Sequence, residues 1–180
     1  ENLDRMATIA FKAQDEVILV IGEKPGAGWL GQSLYLREIA GEEKGAPPPV
    51  DLKHELAVGN FVRSLIAGGR VRTCHDISDG GLLVAVAEMA LAGNMGCHLV
   101  EPATPHHATL FGEDQGRYLI EISPAVADDI LARTKMLALP ARVIGRVGGD
   151  AITLKGEQPK PLAELSETHE RWLPEYMGQA

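Results

Sequence analysis

Residues 16–22 read EVILVIG, an apolar run closed by glycine, which predicts a short strand buried on both faces. Residues 24–31 (KPGAGWLG) follow as a glycine-rich loop, and 32–40 read as a short helix stopped by Gly41. EEKGAPPP over 42–49 is a stiff, extended connector. Asp51 then suits an N-cap, and Leu52, Leu56, Gly59, Val62, Leu65 and Ile66 fall at helical spacing before Gly68-Gly69. A strand over 71–75, a turn over 76–81 and a helix over 82–92 come next. That helix is apolar almost all round, so it is expected to be covered on most sides.

The second half continues with a strand over 95–100, a loop over 101–109 and a strand over 115–123. Ser123-Pro124 is an N-cap followed by proline at the first helical position, and Val126, Ile130, Leu131 and Leu137 form the apolar stripe of that helix, ended by Pro140. Residues 142–147 and 151–154, joined by Gly148-Gly149-Asp150, predict a hairpin. The tail, 161–180, is expected to dock as a helix through Trp172, Leu173 and Tyr176. Alternating strands and helices of this kind predict one α+β (α/β layered) domain over 1–180, a mixed β-sheet covered by helices.

Composition narrows the class. The chain has 180 residues, 45% hydrophobic but only 4% aromatic, which predicts an aliphatic core. Cys74 and Cys97 are far apart with no C-x-x-C spacing, so they read as buried free thiols rather than a disulfide or zinc scaffold. A net charge of −8 without a basic cluster argues against nucleic-acid binding. No apolar run approaches a membrane span and no signal-peptide pattern opens the chain, so a reducing, cytoplasmic setting is expected. The opening Glu1-Asn2-Leu3-Asp4 reads as the interior of a longer polypeptide.

The chemically informative stretch is His75-Asp76-Ile77-Ser78-Asp79-Gly80-Gly81, between a strand and the apolar helix. A helix N-terminus carries free N–H groups and a partial positive charge. Gly80 and Gly81 let a ligand approach the backbone. Asp76 at the strand end could hold Mg²⁺ against phosphate oxygens. The bland alternative is a plain cap by Ser78 or Asp79 with Gly-Gly as turn chemistry. Phe111-Gly112-Glu113-Asp114-Gln115-Gly116-Arg117 is a second polar cluster, either a ligand site or a turn in which Arg117 pairs with a carboxylate. The 24–31 loop lacks the Lys-Ser/Thr of a P-loop and carries little signal alone. His106-His107 reads as a solvated loop, and His54 and His169 as surface residues.

Taken in order, these segments resemble a known family. CHDISDGGLLVAVAEMA (74–90), LGQSLYL (30–36), PPPVDL (47–52), LFGEDQ (110–115) and IGRVGGD (144–150) are similar to the last AIR-synthase-like domain of the phosphoribosylformylglycinamidine synthase family. The resemblance covers most of the chain; the H-D-x-S-D-G-G element alone is shared with AIR synthase, selenophosphate synthetase and thiamine-monophosphate kinase.

It implies the C-terminal domain of a synthetase subunit in purine biosynthesis, an ATP-dependent carbon–nitrogen ligase. In that reaction ATP activates the amide oxygen of formylglycinamide ribonucleotide, and ammonia from glutamine displaces phosphate. It also implies that Asp76 is a Mg²⁺ ligand and that Ser78 contacts nucleotide, with Asp79, Gly80 and Gly81 shaping an auxiliary site. Glu113, Asp114 and Gln115 match a turn whose counterpart in the other half of the subunit binds substrate; Asp114 stands where the family has serine, which weakens that role here. The cofactors implied are ATP and Mg²⁺. The implied partners are the N-terminal domains of the same subunit, a glutaminase subunit and a small accessory subunit, with self-association of the isolated piece through its exposed face. No catalytic residue is expected in this segment. The alternative is a domain that only braces and docks its neighbours.

Overall fold

The computed structural model describes residues 3–100 and 106–178. Its centre is β1 (Val17–Ile21), buried at every position as its unbroken apolar run requires. Around it the strands β2 (Thr73–Ile77), β3 (Cys97–Leu99), β4 (Arg117–Ile122), β5 (Ala141–Val147), β6 (Ala151–Leu154) and β7 (Lys160–Pro161) form a seven-stranded sheet in the order β2-β4-β1-β5-β3-β6-β7. All neighbours are antiparallel except β3 and β6, so the sheet is mixed, as expected.

Helices cover both faces. Because strand side chains alternate, Ile18, Val20 and Leu119 point to one side, where they meet α2 (Gly81–Gly93), α3 (His106–Phe111) and the start of α5 (Leu162–Tyr176). Val17, Leu19, Ile21, Ile120 and Ile122 point to the other and pack under α1 (Leu52–Ala67) and α4 (Pro124–Met136). Both cysteines are free; Cys97 is buried and Cys74 half-buried.

Several local expectations change. The predicted hairpin does not form: β3 lies between β5 and β6, pairing antiparallel with the former and parallel with the latter. The crossing is close, since a Cβ on Gly96 would sit 2.2 Å from the Ala151 carbonyl oxygen. Gly-Gly-Asp therefore steps over a strand instead of reversing onto its neighbour. Asp51 caps α1 as predicted, accepting from the His54 amide at 3.1 Å, but the buried stripe is Val58, Phe61, Val62 and Leu65. Leu52 and Leu56 face out, Leu52 at 74% exposure. Apolar residues occupy more of this helix's circumference than one stripe, and the sheet selected the neighbouring one.

In α4 the buried positions are Ala127, Ile130 and Thr134, and Leu137, at the C-cap, is exposed. Residues 106–109, expected as part of a loop, lie in the helix α3; 101–105 lie outside the described residues. The tail is a helix, but only Leu162 is buried, with Leu165 packed beside it; Trp172, Leu173 and Tyr176 are exposed and undocked on this chain.

Candidate functional site

Strand β2 carries the motif to the edge of the sheet. Asp76 and Ile77 belong to the strand, paired with Tyr118 and Arg117 of β4, and only Ser78–Gly80 turn before α2 begins at Gly81. Ile77 is buried toward α2 and anchors the bend from below. Gly80 (φ 77°) and Gly81 (φ 73°) both adopt the left-handed conformation, which glycine alone enters without strain. Gly81 has a second reason to be glycine: a Cβ there would lie 2.7 Å from the Gly112 oxygen.

Asp76, Ser78 and Asp79 are exposed, with the Asp76 side chain 64% accessible. The Asp76 Oδ1 lies 3.3 Å from the His75 Nδ1, and the opposite ring nitrogen of His75 meets the Glu88 carboxylate at 2.8 Å. His75 is thereby fixed between a strand carboxylate and a helix carboxylate. Glu88 was not singled out from sequence, although it is the only charged residue in an otherwise apolar helix. Arg37 lies within electrostatic reach of Asp79. Its guanidinium is held above its usual range first by the hydrogen bond to Glu38 and the Glu38 charge, and more weakly by Glu43 and Asp79.

The carboxylates of the second polar cluster are half-buried, and each accepts backbone amides from other segments. Glu113 Oε1 accepts from the Gly80 amide and from the Leu34 amide, both at 2.8 Å. Asp114 Oδ2 accepts from the amides of Gly28 and Trp29 at 2.7 and 2.9 Å. Gln115 is exposed and its side-chain amide donates to the Glu113 carbonyl at 3.2 Å. The bend, the acidic turn and the glycine-rich loop, separate in sequence, thus form one structure held by two carboxylates.

Two amides at this helix end already have partners within the chain. The Gly80 N–H is used by Glu113, and the Gly81 N–H donates to the Ser78 carbonyl at 3.0 Å. Both glycines are buried.

Arg117 is the buried support of the turn. It donates to the carbonyls of Asp114 (2.9 Å) and Gly112 (2.6 Å), and its charge is balanced by Glu23 at 3.6 Å and Asp114 at 3.9 Å. Burial pulls its pKa down, against the opposing pull of Asp114 and Glu23. The sequence alternative in which Arg117 pairs with a carboxylate is therefore realised. Glu23 also binds Arg142, and one of its oxygens has no hydrogen-bond partner.

A polar cavity of about 150 Å³ beside this turn is lined by Lys24, Asp51, His54, Glu55, Asp114 and Arg117, among others. His54 is half-buried there, its Nε2 2.9 Å from the Gly22 oxygen, rather than a free surface residue. His107 is not in a loop: it lies on α3 and stacks on Tyr35, which also stacks on Phe111. A separate apolar hollow of about 400 Å³, walled by Leu83, Ala87, Leu110, Phe111, Ile152 and Leu165, does not include the bend.

Asp76 suits a hard cation as a single exposed oxygen donor. Among the described residues no three His, Cys, Asp or Glu side chains gather to hold a metal. Further donors to an ion here would be phosphate oxygens, water or groups beyond the described side chains. No helix among the described residues is long and apolar enough to cross a membrane.

The comparisons with known proteins agree with this architecture. Residues 13–156 match the family model described as AIR synthase related protein, C-terminal domain. The phosphoribosylformylglycinamidine synthase subunit PurL of Rhodospirillum rubrum is 51% identical over 180 residues, covering 99% of this chain and 24% of its own length. That of Methylocella silvestris is 51% identical over 175 residues, covering 97% and 24%. The chain thus spans about a quarter of the length of the curated relatives it matches.

Among solved structures, Thermotoga maritima PurL complexed with FGAR superposes with a TM-score of 0.73 at 19% identity, over 91% of this chain and 30% of that one. Thiamine-monophosphate kinase from Stenotrophomonas maltophilia gives 0.58 at 20% identity, over 84% and 53%. At such identities these two show a shared fold. The match over residues 13–156, on the sheet and bend described above, means that the chain belongs to the AIR synthase related protein family as its C-terminal domain.

Proposed function

We propose that this chain is the C-terminal domain of the synthetase subunit of a phosphoribosylformylglycinamidine synthase, an ATP-dependent ligase of purine biosynthesis. The observation that carries the reading is the 51% identity to such subunits along 99% of the chain. The reaction converts formylglycinamide ribonucleotide, ATP and glutamine to formylglycinamidine ribonucleotide. ATP phosphorylates the amide oxygen; ammonia from glutamine then attacks the amide carbon, and phosphate leaves.

In this reading Asp76, Ser78 and Asp79 are this domain's share of a nucleotide site completed by other domains of the subunit. Support comes from their exposure on one bend and from Thermotoga maritima PurL having been solved complexed with ATP. Mg²⁺ bound by Asp76 would neutralise phosphate oxygens. Ser78 would donate to a phosphate, and His75, held by Glu88, would orient the Asp76 carboxylate. Gly80 and Gly81 would shape the bend without donating. Glu113 and Asp114 would hold loops, and Gln115 alone of that turn would be open to a ligand. The partners are the N-terminal domains of the same subunit, a glutaminase subunit and a small accessory subunit, in the cytoplasm. PurLQS of Thermotoga maritima, solved as such, matches this fold with a TM-score of 0.68 at 20% identity over 92% of the chain and 28% of that chain. The exposed Trp172 face would let the isolated piece self-associate.

The internal use of Glu113 and Asp114 favours a second reading, in which the domain only braces the subunit. A chimera separates the two: this chain replaces the matching C-terminal quarter of the Rhodospirillum rubrum subunit. Turnover by the chimera is the expected result; a folded, assembled chimera without turnover sinks the proposal. Asp76→Asn in it should lower nucleotide retention or turnover, whereas the bracing reading requires unchanged kinetics per folded molecule.

A further inference from the structure

The amides of Gly80 and Leu34 belong to segments far apart in sequence, the bend before α2 and the helical turn that follows the glycine-rich loop, yet both donate to one carboxylate oxygen of Glu113 at 2.8 Å. The next residue does the same for the loop itself, Asp114 accepting from Gly28 and Trp29. The turn that presents them is itself held from below by Arg117, whose guanidinium binds the Gly112 and Asp114 carbonyls. Space is as constrained as bonding. A Cβ on Gly81 would meet Gly112 at 2.7 Å, and one on Gly112 would meet the Gly28 Cα at 2.6 Å. The three backbones stack in direct contact, and the placement of Asp76, Ser78 and Asp79 is coupled to that stack.

We infer that Glu113 is a positioning residue: its carboxylate sets the bend against the helical turn after the glycine-rich loop and thereby holds Asp76 and Ser78 where they engage nucleotide and its metal. The inference rests on the nucleotide reading proposed above. Glu113 contacts no ligand in this role; it acts through the Gly80 amide, two residues from Ser78. Charge-assisted hydrogen bonds of this kind to backbone amides are among the stronger ones in a protein. Asp114 makes a parallel tie at residues 28–29, farther from the bend, so its loss is expected to affect the bend less than the loss of Glu113.

The test has two arms. In the 180-residue chain, amide hydrogen exchange is followed residue by residue in Glu113→Ala and Glu113→Gln. Exchange at Gly80 and Leu34 should quicken in Glu113→Ala, while Val86 and Leu119 in the core keep their protection. Glu113→Gln keeps a carbonyl oxygen able to accept both amides and should restore most of the slowing. In the chimera, Mg²⁺-ADP is titrated into the same variants and into Asp76→Asn. The dissociation constant should rise about tenfold or more in Glu113→Ala and recover to within about threefold in Glu113→Gln, the scale of one charge-assisted hydrogen bond.

Unchanged exchange at Gly80 overturns the inference, as does faster exchange there without any loss of affinity. Loss of affinity in Asp76→Asn but not in Glu113→Ala also overturns it and leaves the proposed function standing. An unsubstituted, assembled chimera that binds no Mg²⁺-ADP defeats the nucleotide reading and this inference together.

Discussion

Gly81 shows at a single position how conformation and space act together. Its φ of 73° alone disfavours any side chain, and the Gly112 and Phe111 backbones leave no room for one. Gly81→Ala should cost about 2–4 kcal/mol in urea unfolding, strain and overlap combined. Gly26, with φ 82° but nothing within 4 Å of a Cβ, isolates the first effect, and Gly26→Ala should cost about 1–2 kcal/mol.

The cysteines give a pH prediction. Burial pushes the Cys74 thiol from 9.0 up to about 11, with the Asp76 charge adding to the shift, and the Cys97 thiol to about 12. Unfolded, both ionise near their ordinary values, so above pH 9 the unfolded state releases protons that the folded state keeps. The stabilisation is fully present below pH 9 and is lost as pH rises toward 11–12. The urea midpoint should fall between pH 8 and 10, and fall less in Cys74→Ala/Cys97→Ala. Native alkylation at pH 8 should be slow at both sites.

Among the elements, α5 departs most from its expected role. Its first turn is built into the core through Leu162, while Trp172, 63% exposed, stacks on Tyr176 of the same helix, 5.4 Å between ring centres. Leu162→Ala should cost about 2–3 kcal/mol of stability. Trp172→Ala should change it by no more than about 0.5 kcal/mol, read from thermal or urea unfolding. Equal losses at the two positions would mean that the far end of the helix is docked after all. The same logic explains α1: helical periodicity identified the helix and its cap, but an apolar surface wider than one stripe left open which side meets a sheet.

Across the whole molecule, β1 lies between β4 and β5 with helices on both faces, so the core closes within this chain. The purified chain should therefore fold but form no formylglycinamidine ribonucleotide from formylglycinamide ribonucleotide, ATP and ammonia, since it spans a quarter of its relatives' length. Product above background would refute the shared-site reading. The strands β1 to β6, the helices α1, α2, α4 and α5, the Asp51 and Ser123 caps and the polar segments at the bend could be read from residues alone, though α3 and β7 were not, because period, capping chemistry and glycine placement act over a few neighbouring positions. The strand order that separates β5 from β6, the face α1 buries, and the use of Glu113 and Asp114 as ties between distant segments were decided only by tertiary structure. Each depends on which distant backbone arrives within hydrogen-bond reach, as Gly80 and Leu34 do at Glu113, and no local pattern encodes that meeting.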